Sequence, residues 1–262
     1  MSSVETRVVG GIAHVTLNRP DKRNALDAAT IEALTEELTH CKADPQVRVV
    51  QLTGAGQVFC AGADLLEMQE QREASEAGNV AHARKLSRLL GVLDSLPKPI
   101  LARVNGDGYG GALGLLGACD VVVVAEHAKF AFTEVRLGII PAVIAPFVLT
   151  KMGQSAALRY FLTGETISAA TLKELKLAHE VVPDAELDAV CSRITNDLLK
   201  GAPLAQAQAK ALIRDMAHID PHVRAQASHD MAARLARLRV QPEAQEGFDA
   251  FFAKRKPAWR LD

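Results

Sequence analysis

The chain has 262 residues, 48% of them hydrophobic and 23% charged, which allows one large or two small domains with a full apolar core and argues against disorder. With 30 Lys+Arg against 31 Asp+Glu, a formal net charge of -1 and only 4% aromatic residues, the chain lacks both the positive field and the stacking surfaces of a nucleic-acid binder. Cys41, Cys60, Cys119 and Cys191 lie far apart without Cys-x-x-Cys or Cys/His ligand spacing, so they read as reduced, mostly buried thiols rather than a zinc site or a disulfide framework. The start, MSSVETRVVGG, has no charged leader before an apolar run, and no stretch nears the roughly 18 apolar residues of a membrane span. The expectation is a cytoplasmic protein with neither membrane nor nucleic-acid partners.

In chain order, Thr6 to Val9 and Ile12 to Leu17 are β-prone runs around Gly10-Gly11, a hairpin signal. RPDKRN (Arg19 to Asn24) turns the chain, and Asp27 is placed to cap a helix reaching about Cys41, with Ile31, Leu34 and Leu38 on its buried face. Val47 to Thr53 reads as a strand, Gly54, Gly56 and Gly62 break up the following loop, and Ala63 to Met68 opens another helix. Leu86, Leu89, Leu90 and Leu93 recur at helical spacing up to Pro97 and read as core packing. Pro99 to Val104 and Asp120 to Ala125 are strands flanking the glycine-rich NGDGYGGALGLLGACD, Asn105 to Asp120. The remainder is expected to be mostly helical, with Ala205, Ala209, Leu212 and Met216 on one helix and a last helix near Glu243 to Lys254. Strands interleaved with helices and then an all-helical tail give an α/β core, residues 1–200, with a C-terminal helical region, 201–262, suited to oligomerisation.

Gly106, Gly108 and Gly111 fit G-x-G-x-x-G after a strand, with Glu126 at the end of the next, as in a dinucleotide-binding turn. The helix between Gly111 and Asp120 is short for such a crossover, and about a hundred residues of other structure precede the motif.

Five collinear blocks, VTLNRPDKRNALD, VFCAGADLLEM, NGDGYGGALGLLGACD, FAFTEVRLGIIPA and FFAKRKPAW, resemble the crotonase (enoyl-CoA hydratase/isomerase) superfamily from about Val15 to Trp259. The resemblance implies a spiral of β-β-α units whose C-terminal helices build a homotrimer, often stacked into homohexamers. It also implies an acyl-CoA substrate, with coenzyme A entering as part of that substrate and no separate cofactor or metal. Such thioesters react through an enolate-like transition state stabilised by two backbone N–H groups, which by resemblance belong to Ala63 in CAGAD and Gly111 in YGGAL. Each such donor is worth about 3 kcal/mol.

Glu134, in FTEVRLG, matches a position where family hydratases carry a catalytic glutamate, and its neighbours Phe130, Phe132, Val135, Leu137 and Ile139 are expected to raise its pKa. A second family glutamate is replaced by Gly114, which is expected to open room for a bulkier or carboxylate-bearing acyl group. GGALGLL together with the TEVR- and PAVIAPF-type segments resembles the branch that acts on 3-methylglutaconyl-CoA or carboxygeranoyl-CoA, where the reaction is reversible hydration. Arg84, Lys85, Arg88 and Arg136 are the cations considered for a substrate carboxylate, although a solvated helix face or a surface ion pair is the favoured reading for them. For coenzyme A, the resemblance places Lys22 and Arg23 near the phosphates, the Ala61 backbone at the adenine, and Phe251 with Lys254 reaching in from a neighbouring subunit. Isomerisation, decarboxylation and non-catalytic acyl-CoA binding are the competing readings, and Glu134 argues against the last of them.

Overall fold

A computed structural model describes residues 2–217 and 224–260. Strands β1 (Val4–Val9) and β2 (Ile12–Leu17) form the expected hairpin, after which come helix α1 (Ala28–Ala43), strand β3 (Val49–Gly54) and helices α2 (Leu65–Glu73) and α3 (Glu76–Ser95). Strand β4 (Ile100–Val104), the two-residue β5 (Gly108–Tyr109), helix α4 (Gly111–Ala118) and strands β6 (Val121–Ala125) and β7 (Lys129–Ala131) follow. Helix α5 (Ala145–Thr163), strand β8 (Ile167–Ser168), helix α6 (Ala169–Glu174) and strand β9 (Glu180–Val182) lead to helices α7 (Leu187–Leu199), α8 (Pro203–Met216), α9 (Arg224–Arg239) and α10 (Pro242–Phe252).

The large sheet has the order β1-β2-β3-β4-β6-β9 and is parallel except for the β1–β2 hairpin, while β5, β7 and β8 form a second, small sheet. The chain alternates between the two: β4, β5 and α4 make one β-β-α unit, and β6, β7 and the helix after them begin another. This is the α/β crotonase spiral expected from the resemblance. Beyond Ala125 the described chain is mostly helical, as expected, but it also carries the short strands β7, β8 and β9, which the sequence reading did not include. Strands of two or three residues are too short to print an alternating pattern and are held by partners distant in sequence.

Burial follows the periodicity. Leu34 and Leu38 of α1 and Leu89, Leu90 and Leu93 of α3 are fully buried against each other and the sheet, and Asp27 caps α1 by accepting from Thr30 N at 2.7 Å. The central strands β4 and β6 are buried on nearly every residue, as the run VVVVA requires, whereas β2 and β3 alternate buried and half-buried positions. Their carboxyl ends, at Gly54, Val104 and Ala125, all deliver loops to one edge of the sheet, where open parallel sheets build their sites.

Helix α8 forms where expected, but it turns Gln206, Lys210 and Arg214 inward and leaves Ala205, Ala209 and Leu212 exposed. Lys210 Nζ reaches Asp120 Oδ2 at 2.6 Å and Lys98 O at 3.0 Å, and Arg214 Nη1 donates to Asp94 O at 2.5 Å. These bonds fasten the helical tail to the α/β body. Lys210→Met removes the charge partner of a half-buried carboxylate and is expected to lower stability by about 1–2 kcal/mol, measured by urea unfolding.

Candidate active site

Two loops from neighbouring strand ends build the site. The loop after β3 is tied to β5 by Cys60 N donating to Asp107 O and Tyr109 N donating to Cys60 O, both at 3.1 Å. Three residues later the same loop forms a single parallel bridge, with Leu26 N donating to Gly62 O (2.7 Å) and Asp64 N to Leu26 O (3.2 Å). In that pattern Leu26 uses both of its main-chain groups while Ala63, flanked by the bonded residues, uses neither, so the Ala63 N–H faces away from Leu26. Ala63 is exposed between the buried Gly62 and Asp64. A Cβ at Gly62 would lie 2.6 Å from Tyr109 O and 3.7 Å from Gly111 N, so only glycine lets this loop press its backbone against the start of α4.

Gly110 N donates to Ala131 O at 3.1 Å, which fixes the strand side of the turn into α4. Gly110 itself sits at φ 50, ψ −113, a conformation closed to residues with a Cβ, and this sets the peptide that carries the Gly111 N–H. As the first residue of α4, Gly111 has no acceptor within the helix for that N–H, and the helix dipole adds partial positive charge there. The Ala63 and Gly111 loops expected to supply oxyanion donors are thus packed against each other.

Glu134 begins a 3-10 turn (Glu134–Leu137) just after β7 and faces this junction, its Oε1 lying 3.2 Å from where a Cβ at Gly110 would stand. Its Oε2 is buried with no hydrogen-bond partner. Burial raises the Glu134 carboxyl above the ordinary glutamate value, opposed weakly by a bond from its own backbone N–H. The apolar surroundings differ in part from those expected: Phe130 and Phe132 are fully buried, whereas Leu137 and Ile139 point to solvent. A carboxyl that is half-buried, with one unpartnered oxygen and a raised pKa, is suited to accept and return a proton.

The room expected beside Gly114 is not there. A Cβ at Gly114 would overlap Ile144 Cγ2 and stand 3.0 Å from Ile144 Cβ and 3.2 Å from Leu90 Cδ1. Ile144, 2% exposed, already fills the space, so the glycine accommodates an isoleucine instead of an acyl group, and an apolar wall stands where a second carboxylate would project. The glycine-rich run also departs from a dinucleotide turn, since Gly106 abuts Gln57 O and Gly108 packs on the Phe130 ring as a strand residue.

Lys22 and Arg23 are exposed in the turn after β2, and Arg23 O accepts from Ala61 N at 2.9 Å, so these cations share a rim with the Ala63 loop. That bond occupies the Ala61 N–H. The chain does not itself bring Phe251 and Lys254 to this rim. The C-terminal segment is anchored at the opposite edge of the sheet, where Trp259 O accepts from Arg48 and Glu243 bonds the first amides of α8. Phe251 is 77% exposed. Arg84 and Arg88 are exposed on α3, Lys85 pairs with Glu32 at 2.7 Å, and the Arg136 side chain lies against Gly164. Burial pushes Cys60 and Cys119 up to about 12, which leaves both inert as thiols. Among the described residues no group of three His, Cys, Asp or Glu could hold a metal ion, and no helix is long and apolar enough to cross a membrane. Gly110 and Ile144 were missed by sequence reasoning. The doubled glycine before a helix is a signal for the first, and the partner of Gly114 is not visible without the fold.

A family model described as enoyl-CoA hydratase/isomerase matches residues 7–261. A 2,3-dehydroadipyl-CoA hydratase of Escherichia coli is 33% identical, covering 94% of each chain, and an (E)-benzylidenesuccinyl-CoA hydratase of Thauera aromatica is 32% identical, covering 98% of each. The crystal structure of an enoyl-CoA hydratase from Shewanella pealeana superposes with a TM-score of 0.93 at 39% identity, over 98% of this chain and 96% of that one.

The tight pairing of Gly114 with Ile144 has a measurable consequence. Gly114→Glu forces a carboxylate into filled apolar space and is expected to cost about 2–4 kcal/mol in urea unfolding, and adding Ile144→Gly is expected to recover most of that loss.

Proposed function

The chain belongs to the enoyl-CoA hydratase/isomerase family, and from that premise we propose that it is a hydro-lyase acting on α,β-unsaturated acyl-CoA thioesters, with 3-methylglutaconyl-CoA and 3-hydroxy-3-methylglutaryl-CoA as its substrate pair. The observation that carries the reading is the buried, unpartnered Glu134 Oε2 beside the first turn of α4 and the Ala63 loop. In the hydration direction Glu134 takes a proton from water as the water oxygen bonds to Cβ. The alkene electrons move onto the thioester oxygen, where the N–H groups of Ala63 and Gly111 stabilise the enolate. The protonated Glu134 then returns its proton to Cα, so one carboxyl serves both steps and is regenerated. Dehydration is the same path reversed.

The acyl assignment rests on the GGALGLL, TEVR and PAVIAPF resemblance, and two relatives named for thioesters of dicarboxylic acids support an acyl group with a second carboxylate. Lys22 and Arg23 are assigned to the phosphates of coenzyme A and the Ala61 carbonyl to its adenine. Phe251 and Lys254 are assigned to the pocket of a neighbouring copy in a homotrimer or homohexamer, an assembly consistent with the exposure of Phe251 and Phe252 at 77% each.

Glu134→Gln is expected to lower kcat/KM by about 100-fold or more while coenzyme A still binds, as read by steady-state kinetics and calorimetry. Because burial raises this carboxyl, wild-type kcat/KM should fall with decreasing pH at a point above 4.5. A carboxyl raised in the folded state stabilises the fold at low pH and loses that contribution as the pH rises through its folded value, so Glu134→Gln should also raise Tm near pH 8. Among 3-methylglutaconyl-CoA, crotonyl-CoA and a 3-enoyl-CoA, the first is expected to give the highest kcat/KM. Preference for the 3-enoyl thioester would replace the hydratase reading with an isomerase.

A further inference from the structure

The Ala63 N–H is aimed by a bridge of a single residue pair, Leu26 with Ala63, and two bonds are too few to hold a loop rigidly. One side chain closes over that bridge. Arg19 Nη1 donates to Ala25 O (2.8 Å) and meets Asp27 Oδ2 (3.0 Å), the residues on either side of Leu26, while its Nη2 donates to Asp64 Oδ2 (3.0 Å), the residue after Ala63. A single guanidinium thus grips both strands of the bridge. Each carboxylate is fixed again from its other oxygen, Asp27 Oδ1 by Thr30 N at 2.7 Å and Asp64 Oδ1 by Leu66 N at 3.0 Å. Arg19 is itself held from behind, its backbone N donating at 2.9 Å to Asn24 Oδ1, a fully buried side chain that also bonds Ala55 O and Val58 O.

We propose that Arg19 and Asp64 are positioning residues that fix the direction of the Ala63 N–H, and so set how well the enzyme stabilises negative charge on the thioester oxygen. The proposal rests on the assignment of Ala63 as an oxyanion donor. The geometry calls for an arginine, because two nitrogens of one fork reach three acceptors at once and a lysine ammonium supplies no such fork. The effect of Arg19 and Asp64 passes through the main chain, where a small misdirection of a donor costs rate without removing the donor.

Acetoacetyl-CoA provides the test, since its bound enolate carries charge on the thioester oxygen and is read by ultraviolet absorbance, with free coenzyme A binding measured in parallel. The variants are Asp64→Asn, which keeps an oxygen for the Leu66 amide, and Arg19→Lys, which keeps the charge. Both are expected to lower enolate affinity by about tenfold or more and kcat by a similar factor, with KM and coenzyme A affinity within about threefold of wild type. Unchanged enolate binding in the variants would overturn the positioning role. So would a parallel loss of enolate and coenzyme A binding, which would make the network merely structural. If wild-type protein bound coenzyme A but no enolate, the acyl-CoA reading itself would fail at the oxyanion site.

Discussion

The rest of the structure depends on one requirement, that two main-chain N–H groups from different loops be held beside each other. A side-chain donor can rotate into place, but a backbone donor points where the fold sends it. Cys60 bridges to β5 and Leu26 bridges to Ala63, and together these contacts bring the end of β3 against the beginning of α4. Gly62 and Gly110 follow from the same requirement, one by allowing contact with Tyr109 O and the other by turning the peptide that opens the helix. The central parallel strands behind them bury Val50, Leu52, Ile100, Leu101, Val122 and Val124 completely and supply the edge from which both loops leave.

Charge is arranged around that junction with economy. The amino end of α4 carries partial positive charge, and Glu134, the proposed catalytic carboxyl, lies beside it. Its buried Oε2 lacks a protein partner, an arrangement that costs stability and leaves the atom's hydrogen-bonding capacity unspent. Asp64 is held in the opposite way. Its burial would raise the carboxyl, but bonds from the Leu66 amide and Arg19 outweigh that and keep it below the usual aspartate value. The two carboxyl groups lie on neighbouring loops, and their environments push them in opposite directions, one toward proton transfer and the other toward a permanent structural charge.

Much of this was legible in the sequence. The Asp27 cap, the α1 and α3 stripes and the β1–β2 hairpin came from local periodicity and turn chemistry, which tertiary packing does not override. Ala63, Gly111 and Glu134 were picked out by the resemblance of CAGAD, YGGAL and FTEVRLG to family motifs, because on the residues alone they read as a turn, a helix cap and a solvated glutamate. What stayed hidden was non-local. Nothing near Gly114 in the chain announces that Ile144, thirty residues on, fills its side. Arg19 read as part of a turn because its partners Asp27 and Asp64 lie 8 and 45 residues away. The strands β7, β8 and β9 exist through pairing alone.

In the proposed reaction a single carboxyl handles both water and proton at a site with an apolar wall in place of a second glutamate. Turnover of 3-methylglutaconyl-CoA in oxygen-18 water, with mass spectrometry of the thioester product, tests this directly. The predicted result is one heavy oxygen at Cβ, with incorporation lost in Glu134→Gln. A product shifted in double-bond position and free of heavy oxygen would contradict it.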